Sequence, residues 1–561
     1  MEKRVILAIA LSALVFIGFQ YFQGKHIGPM PAARPASQAP AQETPKQAQP
    51  PAGQPSAAEP LPAEVPQAIP PSAEDTKAAA RTLRVAGDLY RAVLDNRGAV
   101  LTNWELNDYQ SAQKLAFEMI AGKGGNGRTL PTALFFEDAS LTALANREPY
   151  QVTIEGGSEN GPSLAPPVTI VMQLKRGDLN IEKRFQFEKD NYIVDLSIRC
   201  EKGGKALEGR FFLGEDLGPE PEHFLGSTQL AAVYYAGGKA RRESPPKDEK
   251  EIKKIEGDVR WIGLDMQYFA MIAIPDRPLP HFDIQRYPIK TVGLDGKEAD
   301  RNLLKVTAPL PGSQRYQMYL GPKKQSNLKA VKAADVTGVI DYGFFTILVM
   351  PLLASLRWIY QFVHNYGTAI VVLTFLLSLL LFPFRLKQII SMKKMQAVQP
   401  KVKAIQEKYR RYKKTDPKRA EMNQEIMALY KEHNVNPLGG CLPLILQFPL
   451  LFAFYSLLAN SIELRHAPFY GWLQDLAVKD PYYILPIIMG VTMFISQKMT
   501  PMSPGTDPTQ AKIMLIMPVV FTVMFFNVSS GLNLYFLCSN IFQIAFQKIA
   551  ERWLGDGRSK S

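Results

Sequence analysis

Asn434-Val-Asn-Pro-Leu-Gly-Gly-Cys-Leu-Pro-Leu-Ile-Leu-Gln-Phe-Pro-Leu450 is the stretch that decides the fold, because it joins a basic polar segment to an apolar run. It holds three prolines, a Gly439-Gly440 pair and one amide side chain, Gln447. Proline and glycine are tolerated in a membrane helix where neighbouring helices satisfy the freed backbone groups. A polar side chain in such a helix usually faces the bundle interior. The stretch alone fits either a kinked structural span or a functional one, so its surroundings must decide.

The composition excludes several classes of protein. The chain has 561 residues and a formal net charge of +13, with the positive residues concentrated in a few segments. Its three cysteines form no C-x-x-C pair, and its six histidines form no H-E-x-x-H motif. Neither a disulfide framework nor a metal site is indicated. We therefore expect no metal and no cofactor.

The N-terminal region predicts a membrane anchor followed by a linker. Lys3 and Arg4 precede an apolar run that ends in aromatic residues rather than in the small residues of a signal-peptide cleavage site. We interpret residues 1–24 as an uncleaved span with its N-terminus in the cytoplasm. Residues 25–82 are rich in Pro, Ala and Gln, which predicts a disordered linker. Such a linker has a reach of about 40 Å.

Residues 83–335 predict an all-β domain. The segments 168–174 and 179–187 alternate apolar and polar residues around a Gly177-Asp178 turn, and a third such segment follows at 192–198. Repetition of this pattern indicates a large antiparallel sandwich, which lies outside the cytoplasm if the anchor is N-in. One acidic cluster fits either a solvated loop or acid–base chemistry on a sugar; it comprises Glu215, Asp216, Glu220, Glu222 and His223.

Residues 336–365 are apolar but contain Arg357 and His364, so they fit a span or an interfacial helix. The following loop decides between these alternatives, since residues 385–431 contain fourteen Lys and Arg. A span at 336–365 would put this loop outside the cytoplasm, against the positive-inside rule. We therefore predict an amphipathic helix on the outer interface.

The basic segment 386–434 predicts a cytoplasmic helical hairpin. Asp416 and Pro417 are typical of the start of its second helix. Apolar residues recur at helical spacing in both arms, as in a coiled-coil seam: Met395, Val398, Val402, Ile405, Tyr409 and Tyr412, then Met422, Ile426 and Leu429. The positive face of the hairpin fits contact with anionic lipid or ribosomal RNA, and equally a merely solvated surface.

Five spans are predicted in the core, residues 366–550: 366–384, 438–458, 482–496, 513–526 and 532–546. With the anchor this makes six spans, and both termini lie inside, since the tail 551–561 is basic. The fold class is thus a polytopic α-helical membrane protein with an all-β domain outside the cytoplasm. The apolar run of the span at 513–526 is only about 21 Å long against a hydrocarbon core of about 30 Å, which favours local thinning of the bilayer.

Polar residues recur at helical spacing within the spans. Thr374 and Ser378 are four residues apart, and Arg385 follows seven residues later on the same face. In the last span the spacing is 3, 4, 3 and 4 for Asn533, Phe536, Asn540, Gln543 and Gln547. Such stripes fit interhelical hydrogen bonding or a water-filled pocket.

Several motifs carry a resemblance to a known family: Asn436-Pro-Leu-Gly-Gly-Cys441, Gln447-Phe-Pro449, Glu463-Leu-Arg-His-Ala-Pro468, Asp480-Pro-Tyr-Tyr-Ile-Leu-Pro486, Gln497-Lys-Met499 and Ser530-Gly-Leu-Asn-Leu-Tyr535. Over residues 340–550 the chain resembles the YidC membrane-protein insertases of Gram-negative bacteria. The resemblance implies a five-helix insertase core with a cytoplasm-open hydrophilic groove in the inner membrane. It also implies a periplasmic sandwich like that of sugar mutarotases, without their activity.

The resemblance further implies the partners: nascent inner-membrane proteins as clients, the Sec translocon, the ribosome through the cytoplasmic loops, and the phospholipid bilayer. The implied groove residues are Thr374, Ser378 and Gln447, with Tyr535 and Phe536 as walls. The spans near 444–454 and 517–526 would guide a client helix.

One departure from the family pattern affects the groove. The family has an arginine after Thr-Phe-x-x on the first core helix, whereas here Thr374-Phe375-Leu-Leu is followed by Ser378. Arg385 lies about 10 Å nearer the cytoplasm on the same face and is our candidate substitute, because long basic side chains can extend along a helix.

Two other classes of protein are alternatives to a non-enzymatic insertase. A membrane-anchored periplasmic sugar-binding or sugar-modifying protein would need only one span, so the remaining five oppose it. A channel or transporter would favour inverted repeats, and we see no convincing two-fold match among the spans.

Overall fold

A computed structural model describes residues 78–111, 115–120, 129–156, 163–218, 230–292, 298–331, 333, 335–412, 416–433, 442–499 and 508–556. The predicted anchor 1–24 and the linker as far as residue 77 lie outside the described residues. Residues 434–441 of the Asn434–Leu450 stretch also lie outside them, as do Glu220, Glu222 and His223 of the acidic cluster.

The first half of the described chain forms three sheets in which all neighbouring strands pair antiparallel. One sheet has the order β1 (Thr82–Ala86), β2 (Tyr90–Asp95), β3 (Val100–Gln110) and β4 (Ala116–Glu118). A second has the order β14 (Ile252–Val259), β17 (Leu279–Val292), β18 (Glu298–Leu310), β11 (Gly209–Gly214) and β5 (Leu134–Phe135).

The third and largest sheet runs through the middle of the domain. Its order is β13 (Lys239–Glu243), β12 (Ala231–Ala236), β15 (Trp261–Asp265), β16 (Phe269–Pro275), β19 (Ser313–Pro322), β9 (Ile193–Lys202), β8 (Leu179–Phe187), β7 (Val168–Arg176) and β6 (Gln151–Glu155). A short strand, β10 (Lys205–Ala206), also pairs with β9.

The predicted hairpin is confirmed in strands β7 and β8. Leu174 faces Ile181 across the pair, and the turn between the strands has Gly177 in the left-handed region with φ of 56°. Alternate residues of both strands are buried, because successive side chains point to opposite faces of a sheet.

The two larger sheets share one apolar core. The ring of Phe211 on β11 stacks on Tyr316 of β19 at 4.4 Å between centroids, and Tyr234 of β12 lies 5.1 Å from Phe282 of β17. Face-to-face packing of two antiparallel sheets through such rings is the arrangement of a β-sandwich. The described part of residues 83–335 is thus mostly β-sheet, with two unpredicted helices, α1 (Ala139–Arg147) and α2 (Gln325–Ala330).

Lys183 on β8 is a buried cation that joins three backbone carbonyls. Its Nζ donates to the carbonyl oxygens of Gly98, Ala99 and Thr132 at 2.7, 3.2 and 2.8 Å. All three of these residues have positive φ, at 72°, 48° and 74°, a conformation that is unfavourable for Ala and Thr. Burial lowers the pKa of Lys183 from 10.5 to about 7. The side chain therefore links the sheet to two strained turns.

The second half of the chain is helical. After α2 (Gln325–Ala330) come α3 (Thr346–Val363), α4 (Tyr366–Lys408), α5 (Lys418–Glu432), α6 (Leu442–Asn460), α7 (Ile484–Met499), α8 (Pro508–Phe525) and α9 (Ser530–Asp556). Each of the five predicted core spans falls largely within one of these helices.

Length and composition do not by themselves establish six spans. In the described ranges, Gly343–Val363 and Tyr366–Lys408 are long and apolar enough to cross a membrane, while Ile484–Met499 and Leu515–Phe525 are apolar but shorter. The six-span topology remains a prediction.

Helix α3 is apolar on two sides. Leu353 and Leu356 are buried against the helical bundle, whereas Ile347 and Phe362 are 83% and 66% exposed. Its Arg357 pairs with Glu463 and donates to Gln325 Oε1 at 2.8 Å. An exposed apolar face beside a paired arginine suits a helix that lies on a lipid surface. The interfacial position remains a prediction, since the length of the segment also fits a span.

The basic hairpin consists of the second half of α4 and all of α5. Its seam buries Met395, Val398, Val402, Met422, Ile426 and Tyr430. Asp416 Oδ1 accepts from the Lys418 backbone N–H at 2.9 Å, so the predicted start of the second helix is correct to within one residue. The assignment of Tyr412 to the seam is wrong: its hydroxyl accepts from Lys418 Nζ at 3.2 Å at the hairpin tip, where the chain turns away from the seam.

The loop between α6 and α7 joins the helices to the β-domain. Arg465 donates to the Gln110 carbonyl at 2.7 Å, and its guanidinium lies 5.4–5.5 Å from the ring centroids of Phe117, Tyr268 and Phe269. Nearby, Gln267 Nε2 donates to the Ala459 carbonyl at 2.7 Å. Because a guanidinium is attracted to aromatic faces, Arg465 should be a main anchor of this contact.

Replacing Arg465 by glutamine is expected to loosen this contact without unfolding the β-domain. Loss of the ring contacts and of a charge-assisted hydrogen bond should raise amide hydrogen exchange in residues 461–468 by roughly ten-fold. The matched control is Arg184→Gln, which removes an exposed pair with Glu155 and should have little effect. Equal exchange in the two variants would show that Arg465 is not the anchor.

Candidate functional site

A cavity with a polar lining lies between α4, α6 and α9. Its volume is about 10 Å³, roughly the space that one water molecule needs. It is lined by Thr374, Leu377, Ser378, Leu381, Arg385, Gln447, Leu450, Tyr535 and Ser539. The residues from α4 recur every three or four positions, so they form one face of the helix. From residue 374 to residue 385 this face extends about 16 Å, roughly half of a hydrocarbon core.

The polar side chains at the centre of the cavity come from three helices. Gln447 Nε2 on α6 donates to the hydroxyl of Tyr535 on α9 at 3.3 Å. The Tyr535 ring is 2% exposed and stacks on Phe454 at 4.0 Å between centroids, which fixes its orientation. Thr374 donates its hydroxyl proton to the Ile370 carbonyl at 2.6 Å, so its oxygen faces the cavity only as an acceptor.

Arg385 brings a positive charge to the same cavity. Its Nη1 is buried and has no hydrogen-bond acceptor among the residues that the structure describes. The described residues lining the cavity include no carboxylate. Arg385 as a whole is only partly buried, but a guanidinium nitrogen that has lost water and gained no acceptor is still costly. The site is therefore complementary to an acidic group supplied from elsewhere.

The size of the cavity limits what it can hold in this form. A volume of about 10 Å³ holds about one water molecule, whereas an α-helix with its side chains is about 10 Å wide. A whole transmembrane segment would need the helices to separate. Even a single acidic side chain would need the lining side chains to move apart.

Five of the six predicted site residues line this one cavity, and Phe536 does not, as far as the described residues show. The Phe536 ring instead packs against Phe525 at 4.8 Å and Tyr535 at 5.4 Å, outside the lining. The remaining lining residues were not predicted: Leu377, Leu381, Leu450 and Ser539. The four-residue spacing of Tyr535 and Ser539 was a usable signal for the last of these.

Both ends of the polar stripe predicted along the last span form hydrogen bonds to neighbouring segments. Asn533 Nδ2 donates to the Phe525 and Val528 carbonyls at 3.3 and 3.1 Å, and Gln547 Nε2 donates to the Met499 carbonyl at 2.8 Å. These bonds tie α9 to its neighbours, as the interhelical alternative predicted.

The two segments predicted to guide a client present apolar side chains outward. Phe448 on α6 is 40% exposed. On α8, the outward side chains are Val519, Val520 and Val523. Such surfaces suit contact with lipid or with another apolar helix.

An apolar helical bundle joined to a large β-sheet domain is typical of a membrane protein with a domain outside the bilayer. The family description "60Kd inner membrane protein" matches residues 358–556, and "YidC periplasmic domain" matches residues 82–355. The chain belongs to the YidC family of membrane protein insertases, which are inner membrane proteins with a periplasmic domain.

Individual relatives support this membership over the full length. A membrane protein insertase YidC of Syntrophus aciditrophicus is 36% identical over 98% of this chain and 99% of its own. One from Geobacter metallireducens is 34% identical over 100% of both chains. A crystal structure of an active YidC insertase with its first transmembrane domain resolved has a TM-score of 0.37 and 17% identity, covering 85% of this chain and 94% of that one.

Family membership confirms the predicted insertase function. It also fits a protein that is not an enzyme, because the relatives are insertases. The two alternatives, a channel or transporter and an anchored sugar-binding protein, gain no support from these relatives.

Proposed function

We propose that this chain moves nascent inner-membrane proteins into the bilayer through a groove that opens to the cytoplasm, alone or with the Sec translocon. In this proposal the groove is lined by Thr374, Ser378, Gln447 and Tyr535, and Arg385 supplies its cation. The supporting observation is the partly buried Arg385 guanidinium, whose Nη1 is buried and unpaired in the described part of the chain, in the cavity that Ser378 also lines.

The energies support this role for Arg385. Placing an acidic side chain at the centre of a membrane helix costs about 2.5–3.5 kcal/mol on insertion scales. A hydrogen bond to a charged group contributes about 1.5–3 kcal/mol. One arginine can therefore offset most of the cost of bringing one carboxylate into the groove.

The topology belongs to the same proposal. It has six spans with both termini in the cytoplasm, the β-domain in the periplasm, and residues 336–365 on the outer lipid surface. The hairpin 386–434 would contact the ribosome, which its many lysines and arginines favour. Helices α6 and α8 would guide the client, and the short apolar run of α8 favours thinning of the bilayer.

A crosslinking experiment tests the proposed path. A photoactivatable residue at Gln447 is expected to label a ribosome-bound nascent membrane protein several-fold more than the same probe at Ile487, which lies on the exposed surface of α7. Depletion of the chain should stop insertion of the same client. Continued insertion of the client without labelling at position 447 would contradict the proposal that clients pass through this groove.

A further inference from the structure

A second cavity lies at one edge of the largest sheet, far in sequence from the groove. Its volume is about 540 Å³, within the range typical of ligand sites. Strands β12 and β13, Trp261 and the segment 338–341 surround it. A Cβ atom on Gly338 would come within 2.7 Å of the Ala240 side chain, so this segment packs closely on the edge strand.

The lining of this cavity is predominantly positive. Lys239, Arg241 and Arg242 contribute three cations, against the carboxylates of Glu243 and Asp341. Both carboxylates already have partners. Glu243 pairs with Lys253, and Asp341 Oδ1 accepts from the Gly343 N–H at 2.7 Å.

A buried ion cluster beneath the cavity shares Arg242 with the lining, so it leaves the excess at one positive charge. Asp265 is fully buried and pairs with both Arg242 and Lys323, the latter at 2.8 Å. One carboxylate thus serves two cations and leaves a net positive charge. Nη1 of Arg242 is buried with no acceptor among the described residues. Such an excess is unfavourable unless an anion approaches it.

The position of the cavity indicates where that anion comes from. Asp341 is only three residues before Phe344, which limits their separation to about 11 Å. Phe344 is 84% exposed and lies two residues before α3, the helix that the proposed function assigns to the outer lipid surface. The headgroup layer is about 5–8 Å thick on each side of a bilayer. If α3 lies on lipid, this cavity is therefore within reach of the phospholipid headgroups.

We propose that this cavity binds the phosphate group of an anionic phospholipid of the outer leaflet, with Lys239, Arg241 and Arg242 as its cations. Arginine suits this ligand because its planar fork of donors matches phosphate oxygens. The inference rests on the proposed function only for the position of α3. A free phosphate ion offers the same chemistry, so the experiment must separate the two sources.

The test uses the full chain reconstituted in phosphatidylcholine vesicles that contain a photoactivatable phosphatidylglycerol. Each cation near a membrane surface is worth roughly a five-fold change in binding, so the double variant Lys239→Gln/Arg241→Gln should lower labelling of the β-domain by about 25-fold. This double variant keeps Arg242, which pairs with the buried Asp265. The control, Lys202→Gln/Lys205→Gln, removes the same charge from exposed positions near β10 and should change labelling less than two-fold.

Three outcomes would overturn this inference: equal labelling of the two double variants, equal labelling by a phosphatidylcholine probe, or binding of inorganic phosphate without any preference for phosphatidylglycerol. Hydrogen exchange in β12 and β13 checks that the variants remain folded. Client insertion is measured in the same vesicles. Failure of the unmodified chain to insert clients would contradict the proposed function, and the labelling result would be judged separately.

Discussion

Replacing Arg385 by alanine is expected to lower insertion of a client with an acidic translocated segment by about 10- to 100-fold. This range corresponds to the loss of one charge-assisted hydrogen bond of about 1.5–3 kcal/mol. A client whose translocated segment is neutral should be inserted within about two-fold of the normal rate. Insertion of each client by reconstituted vesicles is the measurement.

A relocated arginine provides the matched control for this prediction. Ser378 and Arg385 line the same cavity, so Arg385→Ala combined with Ser378→Arg returns a guanidinium to it from two helical turns away. This double variant is expected to recover most of the insertion of the acidic client. Arg385→Lys keeps a charge without the planar fork of donors. Its insertion of the acidic client should lie between that of the unmodified chain and that of Arg385→Ala. Normal insertion by Arg385→Ala would rule out Arg385 as the groove cation.

Replacing Lys183 by methionine is expected to lower the free energy of unfolding of the β-domain by about 3 kcal/mol at pH 8. At pH 8 the mostly neutral amine has two N–H donors to share among the buried carbonyls of Gly98, Ala99 and Thr132. The variant would remove both donors, and an unpaired buried polar group costs about 1–3 kcal/mol. Removal of the desolvated amine offsets part of this loss. Amide hydrogen exchange of β8 in the full chain measures the change, and the exposed Lys175→Met in the same hairpin serves as the control.

The pH dependence of the free energy of unfolding gives a second measurement of the role of Lys183, through the ionisation of its buried amine. The folded state releases the Lys183 proton above about pH 7, whereas the unfolded chain keeps it until about pH 10.5. In this window the unfolded state binds more protons, so the free energy of unfolding rises with pH. Between pH 7 and 9 the rise should be about 2 kcal/mol, and Lys183→Met should abolish it. An unchanged slope in the variant would mean that Lys183 is not the titrating group.

The local pattern of the chain could be predicted because it depends on near neighbours. Strands β7 and β8, the start of α5 and the shared face of Thr374, Ser378 and Arg385 all follow from periods of 2 and 3.6 residues. Phe536 shows the limit of such a pattern, and its place as a groove wall stays a prediction. A spacing of three and four defines one face of α9, but it does not say which neighbouring helix that face meets.

The sequence by itself determined the family, the mostly β composition of the first half and the helical composition of the second. Only the tertiary structure brought Tyr535 to Gln447 and Arg385, and Lys183 to the carbonyls of its two turns. These groups are far apart along the chain, and their encounter depends on how whole elements pack. Packing depends on the summed burial of many side chains, and this sum cannot be predicted from the spacing of residues within one short segment.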